Sequence, residues 1–533
     1  MLDGFLRLTV FGPDGFPAVG AEIVLEGPES VTALTDATGR VTVGPLTAAP
    51  WHLTVDVPGV RVVPRAEDLE MPALGGLDLA LTLAGRGEPD AHIIGSRVCG
   101  YCHTEIAASW QASAHAEATG PVVGAPADAF DQGLVLPLGA ASARFARDGV
   151  DPVILLTDAS GATDLWRVAG LLGGEKRGAV PWADRDGASW PLPVAWTAPD
   201  PRRPGVVDGG WVAGDRAGWL GVDDRFAYTT TPTPDRSAEA ACFPCHVTGT
   251  TLTVGTDGSV TMQAISSPSL RWDEGTVACE ACHGHGETHS AGSPKLGSIT
   301  VPEDLGADRA NDVCGRCHAA VTGEQGLPFP WTALHGLFRP GDALTDLGTS
   351  ATQTWPSGSA SIPGATLDEL RASIHGEGGW NATCTDCHDP HGSANTADLR
   401  LPADDDTLCQ ACHLGLSFDG DPALAAAHSD HVDRCVDCHM PATAARLAFD
   451  PVTGAGDLAS HSFDAAPPQV TVDAFDAAGA QTLPVGSFVP DTCLDCHVWN
   501  EVLSGSAFTG PSGDPTQRST HVELQTAWEG LFP

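Results

Sequence analysis

A small all-β sandwich over residues 1–86, followed by a longer, mostly irregular and α-helical body with a β-hairpin insert, is the fold class the sequence predicts. Three observations carry that expectation. Short runs alternate apolar and polar residues at the N-terminus; the rest is rich in glycine and proline (62 and 42 in 533 residues); and all 16 cysteines lie after residue 98. Length and motif spacing divide the chain into residues 1–86, 90–321 with an insert at 120–240, and 322–533.

In the first segment, "LRLTVF", "AEIVLEG", "RVTVGPL" and "WHLTVDVPG" read as strands, punctuated by "PDG" and "DATG" turns. The pattern resembles carboxypeptidase regulatory-like and transthyretin-like modules, which implies an attachment or spacing role. His52, inside the "WHLTV" run, reads as a structural side chain.

The net charge is -41, with Lys176 and Lys295 as the only lysines, so nucleic acid and anionic membrane surfaces are excluded as main partners. No stretch reaches the roughly 18 apolar residues of a membrane helix, so no membrane span is expected. "MLDGFLRLTV" lacks the basic start of a signal peptide. Either an export signal has been removed or the protein stays inside, and the cysteines decide between these.

Every cysteine belongs to a Cys-x-x-Cys-His motif: Cys99/Cys102, Cys242/Cys245, Cys279/Cys282, Cys314/Cys317, Cys384/Cys387, Cys409/Cys412, Cys435/Cys438 and Cys493/Cys496. Two thiols three positions apart each add to one vinyl group of a haem, and the histidine that follows binds the iron. Structural zinc does not require a histidine after each pair, and a thioredoxin-like site would occur once. Eight motifs with no cysteine left over predict eight c-type haems, and hence an exported protein: extracellular, at the cell surface, or periplasmic. Three haems between Cys384 and His439 supply the core that such proline- and glycine-rich sequence lacks.

The proximal ligands are His103, His246, His283, His318, His388, His413, His439 and His497. Twelve of the 20 histidines remain, and only four methionines, so a second histidine on each iron and low potentials are expected. His115, on a stretch read as helix, and His289, His375, His391 and His461, in glycine- or serine-rich stretches beside motifs, are the first candidates. His335, His428 and His431 are further candidates, with "HSDH" supplying one ligand. His92, His521 and His285 are not assigned to iron.

From "GSRVCGYCHTEIAASWQASAHA" through "CEACHGHGETH", residues 94–321 resemble the cytochrome c554-type multihaem family. That resemblance implies a helical haem core interrupted by a β excursion, in which "DLWRVAGLLGGEKRGAVPWADRDGASWPLPVAWTAPD" reads as two or three strands. The family has proline where this chain has His285. "SIHGEGGWNATCTDCHDPHGS" through "CVDCHMP" is similar to repeats of periplasmic and outer-surface multihaem cytochromes, which implies closely stacked haems in a continuous chain.

The expected function is electron transfer, with other redox proteins or extracellular acceptors as partners. A ligand donated by a neighbouring copy explains a histidine far from any motif, so copies of the chain joined into a filament are expected, a monomer docked on other cytochromes being the alternative. Two other classes stand beside it: an octahaem oxidoreductase acting on small nitrogen or sulfur compounds, and an adhesin scaffolded by haems. The lysine-containing motif variant that would favour the enzyme is absent.

Overall fold

A computed structural model describes residues 3–13, 15–57, 62–73, 75–85, 91–199, 209–214, 234–291, 299–355, 357–376, 379–403, 405–414, 434–444, 458–479 and 525. Cys493, Cys496, His497, His428, His431 and His521 lie outside the described residues.

The N-terminal region is β-rich, as expected. Strands β1 (Asp3–Phe11), β4 (Arg40–Thr47) and β7 (Gly75–Thr82) form one sheet in the order β4-β1-β7. Strands β2 (Glu22–Glu26), β3 (Ser30–Leu34), β5 (Pro50–Asp56) and β6 (Arg65–Glu70) form the other, in the order β3-β2-β5-β6. Period-2 alternation puts Ile23, Leu25, Trp51, Leu53 and Val55 on one face. There they join Leu6, Leu8 and Val10 of the first sheet in a single apolar cluster. The "DATG" turn closes as its residues dictate. Asp36 Oδ1 accepts from the backbone N–H groups of Thr38 and Arg40, and Gly39 sits at φ 70°, where a Cβ would lie 2.5 Å from the Val10 carbonyl.

This region packs against the motif-bearing body. Val63 and Ala84 share an apolar cluster with Leu305, Ala310 and Val313. The Arg65 guanidinium donates to the carbonyl oxygens of Thr82 and Asp304, which ties the β region to the segment leading into helix Ala307–His318.

Over residues 164–200, where the sequence suggested two or three strands, the structure has five, and further strands flank them in the insert. The insert holds β8 (Thr119–Gly120), β9 (Val135–Leu138), β10 (Ala141–Asp148), β11 (Asp151–Thr157), β12 (Thr163–Arg167), β13 (Gly170–Gly174), β14 (Gly178–Arg185), β15 (Ala188–Pro191), β16 (Val194–Thr197) and β17 (Gly210–Ala213). They form a four-stranded sheet, β12-β11-β10-β9, and a six-stranded one in which β15 pairs with β14 beside the path β17-β16-β14-β13-β8. Phe130, Phe145, Ile154, Trp166 and Trp211 fill the cluster they share.

The insert docks on the second motif through Leu172, Trp182, Ala238, Phe243 and Val247. Arg271 seals the edge of this contact: its guanidinium donates to the buried Glu239 carboxylate at 2.9 Å and to Ser189 Oγ at 2.6 Å. A buried carboxylate so paired avoids the cost of an isolated charge. The motif-bearing body is otherwise made of short helices, most of one or two turns, joined by irregular chain.

Candidate haem-attachment and iron-ligand sites

Seven of the eight motifs lie among the described residues, and their local geometry follows from one helical turn. Residues i, i+3 and i+4 share a helix face, so both sulfurs and the histidine point the same way. The backbone N–H of His103, His388 and His413 donates to the carbonyl of the first cysteine of its own motif at 2.9 Å, and that of His246 at 3.2 Å. In the haem-loaded chain each Sγ is a thioether sulfur; thiol contacts here show only which sulfurs lie side by side.

The described attachment cysteines differ in exposure. Cys102 and Cys412 are exposed, whereas the other twelve described cysteines are partly buried. The reason at Cys102 is its place in the chain. The first motif meets another motif through Cys99, which lies against Cys279. Three residues on, Cys102 falls in the turn between helices Ser96–Cys99 and Thr104–Gln111, with Tyr101 and His103 exposed on either side of it. The chain therefore encloses one sulfur of this pair and leaves the other at the surface, where a porphyrin edge rather than protein would cover it.

Four of the motif histidines have their rings oriented by backbone carbonyls. Nδ1 of His246 lies 2.6 Å from the Ala118 carbonyl oxygen, that of His283 2.9 Å from Thr300, that of His388 2.9 Å from Ala397 and that of His439 2.9 Å from Phe463. A carbonyl on Nδ1 fixes the tautomer and leaves the Nε2 lone pair for metal. Burial pushes the imidazoles of His283 and His388 below the ordinary histidine pKa, and that of His461 down to about 4. A neutral ring is the form that binds iron.

Five proximal histidines each face a second histidine. The ring centroids are 6.3 Å apart for His103 and His289, 6.5 Å for His318 and His115, and 6.1 Å for His283 and His391. They are 6.3 Å apart for His388 and His461 and 5.9 Å for His413 and His375. Two imidazoles on opposite sides of one metal, each bonded at about 2 Å, place their centroids about 6.3 Å apart. Direct stacking would bring them closer. The donor set therefore fits a haem iron held between two histidines.

Four of the five partners show how differently they reach their places. His289 stands on helix Glu287–Ala291. His115 is not on a helix, since helix Thr104–Gln111 ends before it; the turn that follows carries the ring to His318. His391 is delivered by a loop whose Gly392, at φ 98°, packs so closely that a Cβ would lie 2.8 Å from the Ser109 carbonyl oxygen. His461 is set by its backbone N–H, which donates to the buried Glu369 carboxylate at 2.9 Å.

His335 is exposed on the turn joining Trp331–Thr332 to Gly336–Leu337, where its N–H donates to Thr332 Oγ1; among the described residues no proximal ring pairs with it. His52 pairs with Asp68 on the β region at 2.7 Å, in keeping with its structural reading. His285 has a buried Nδ1 with no hydrogen-bond partner.

Sulfur contacts place the motifs in a spatial order that differs from chain order. Cys99 lies against Cys279, Cys314 against Cys384, and Cys409 against Cys435. The third motif meets the fourth through Arg316, which donates to the Ala281 carbonyl, and Cys387 lies in the neighbourhood of Cys409 and Cys412. The motifs beginning at Cys99, Cys279, Cys314, Cys384, Cys409 and Cys435 thus follow one another. The motif of Cys242 joins at the third of them, where Cys317 Sγ lies 3.7 Å from the Cys245 carbonyl oxygen.

Polar side chains that the sequence reading passed over bridge most of these junctions. The buried Glu280 carboxylate accepts from the backbone N–H groups of Ile94, Gly95 and Gly286. Burial raises its pKa, and those three donors partly offset the rise. Asn311 donates to the Ala382 carbonyl and accepts from the Cys384 N–H, locking the fourth motif to the fifth. Asp406 accepts from the Cys435 N–H at 2.7 Å, locking the sixth to the seventh. Arg316 donates to the carbonyls of Ala281 at 3.0 Å and Pro244 at 3.2 Å, holding the second and third motifs to the fourth. The signal in the sequence was their position, inside a motif or a few residues before one.

Two sequence families match the chain: "Doubled CXXCH motif" over residues 376–417 and "Cytochrome c554 and c-prime" over residues 223–284. The multiheme cytochrome MtrA of Shewanella baltica (strain OS185) is 28% identical over 151 residues, which is 26% of this chain; the match spans 42% of that relative's length. Among solved structures, the outer cell wall cytochrome OcwA aligns with TM-score 0.45 and 18% identity, covering 83% of this chain and 100% of the other. An undecaheme cytochrome from the S-layer of Carboxydothermus ferrireducens aligns with TM-score 0.34 and 16% identity, covering 84% of this chain and 70% of the other. On its attachment motifs and these sequence matches, the chain is a multihaem c-type cytochrome.

Proposed function

We propose that this chain is an electron conduit carrying eight haems, each iron held by two histidines, and that it works at or beyond the cell surface. The single observation that carries this reading is the set of five histidine pairs spaced for one iron each, on motifs that lie beside one another between Cys99 and Cys435. Bound haem supplies one-electron redox chemistry. The residues of the chain hold neighbouring attachment turns together and cap both metal faces, and burial keeps the rings of His283, His388 and His461 neutral.

With both faces capped, no coordination position is left for a substrate, so passage of electrons to other redox proteins or extracellular acceptors is the use the geometry supports. Assembly of copies into a filament belongs to the same reading, because it would lengthen the path without new chemistry. The N-terminal two-sheet region is read as a sandwich that braces the fourth motif.

Protein-film voltammetry tests the function. A broad, reversible, non-catalytic wave that accounts for eight electrons is expected, unchanged by nitrite or sulfite. A catalytic current with either anion would refute the conduit reading in favour of an enzyme. Negative-stain microscopy of native material tests assembly: rods with a regular repeat are expected, and isolated particles alone would refute the filament.

A further inference from the structure

Phe463 is held in a conformation that aromatic residues avoid. Its φ is 57°, in the left-handed region where a Cβ crowds the backbone. Such strain persists only where the surroundings impose it. Here the chain entering the bend is anchored on the buried Glu369 carboxylate, which accepts from Ser460 Oγ at 2.7 Å and from the His461 N–H at 2.9 Å. The bend puts Phe463 among ligand histidines that serve the fifth, sixth and seventh motifs. Its carbonyl oxygen lies 2.9 Å from Nδ1 of His439, and its ring centroid lies 4.4 Å from that of His375 and 5.9 Å from that of His461.

His375 depends on that neighbour more than the other partner histidines do. Nδ1 of His115 and of His461 each lies on a backbone carbonyl, at 3.3 and 3.1 Å. Nδ1 of His375 is buried with no hydrogen-bond partner among the described residues, so ring packing sets its plane. The planes of His413 and His375 cross at 83°, and those of His318 and His115 at 68°. The remaining pairs are near parallel: 3° for His283 and His391, 23° for His103 and His289, and 25° for His388 and His461.

We infer that Phe463 is a positioning residue: its ring holds the His375 imidazole crossed to that of His413, so that the chain builds two electronic classes of iron site, crossed and near-parallel. This rests on the two-histidine reading above. A group packed on a ligand ring fixes its orientation, and axial ligands set the iron's electronic levels. An imidazole donates π density along the normal of its ring. Two parallel rings load the same iron dπ orbital and split the pair in energy, whereas crossed rings load one orbital each and leave the pair nearly equal. The electron gained on reduction enters this pair, so the residue that sets the ring plane sets the orbital that the electron uses.

Paramagnetic resonance of the full, haem-loaded, oxidised chain tests this, because nearly equal dπ orbitals give a strongly anisotropic low-field signal and split ones a rhombic signal. The parent should show both. Phe463→Gly removes the ring but suits the bend, since glycine takes positive φ without strain. With porphyrin count unchanged and all iron low-spin, it should lose the low-field signal of a single iron to the rhombic component. Phe463→Tyr keeps the ring and should keep the parent spectrum. A low-field signal unchanged in Phe463→Gly, lost in Phe463→Tyr or absent from the parent would overturn the inference. If Phe463→Gly fails to take up haem, the difference spectrum between the parent and His375→Ala decides: low-field intensity lost supports crossed rings, and rhombic intensity lost overturns them. High-spin iron in the parent itself would instead strike at the two-histidine reading.

Discussion

Residues 119–213 and residues 379–444 belong to one chain but are held together by different means. The first stretch folds around its own side chains: Phe145, Ile154 and Trp166 are almost fully excluded from solvent, and ten strands pair around them. Among described residues of the second, the buried hydrophobics are Ala382 and Ala444 alone, although three attachment motifs fall within it. Two methyl groups cannot offset the conformational entropy of such a stretch. The difference shows where a polypeptide stops supplying its own core. In the second stretch, order comes from turns of helix pinned by Asn311 and Asp406, and from porphyrin packed against them in the loaded chain.

The first way to break that contrast is to remove the haems. Replacing Cys384, Cys387, Cys409 and Cys412 by serine should abolish protease resistance across residues 379–444 while the insert stays resistant; mass spectrometry of a limited digest reads both. Equal resistance in the two stretches would refute the contrast. The reverse experiment strikes the insert. Phe145→Ala removes a ring that packs on Phe130 and Trp211, and should cost about 3–5 kcal/mol in denaturant unfolding of that region with the haem count unchanged.

A finer cut removes one ligand and leaves attachment intact. His391→Ala should convert a single iron, the one served by His283, from low-spin to high-spin with no loss of haem, as read by paramagnetic resonance and the pyridine haemochromogen assay. An unchanged low-spin spectrum would separate His391 from the iron. The smallest effect is expected far from any motif: Asp78→Asn breaks an exposed ion pair with Arg7 and should change the unfolding of the N-terminal region by less than about 1 kcal/mol.

The parts legible in the sequence were those fixed by local rules. Among the described residues Cys-x-x-Cys-His forms a helical turn, and the alternation in "AEIVLEG" and "WHLTVDV" is a half-buried strand whatever it packs against. His289, His375, His391 and His461 were singled out as candidates from their flanking glycine and serine, and each stands about 6 Å from the ring of a motif histidine. The exposure of Cys102 was not legible, because a motif reads the same whether or not another part of the chain covers its second sulfur.

The extent of the insert was hidden for a physical reason. In β16 every position, from Val194 to Thr197, is buried, so the run has no alternation to read; β13 is "GLLGG", whose glycines have low strand propensity. The bridges were hidden because their partners are remote: Arg316 reaches carbonyls 35 and 72 positions away, and Asn311 reaches Cys384, 73 positions on. Nothing in a window around "CGRCH" marks that arginine as different from one facing water.

What everything else depends on is that imidazole caps both sides of a metal at each attachment turn. Paramagnetic resonance of the fully oxidised chain, combined with a count of porphyrins per polypeptide, measures that directly. The account predicts eight porphyrins and low-spin ferric signals only. Fewer than eight, or a substantial high-spin component in the intact protein, would contradict it.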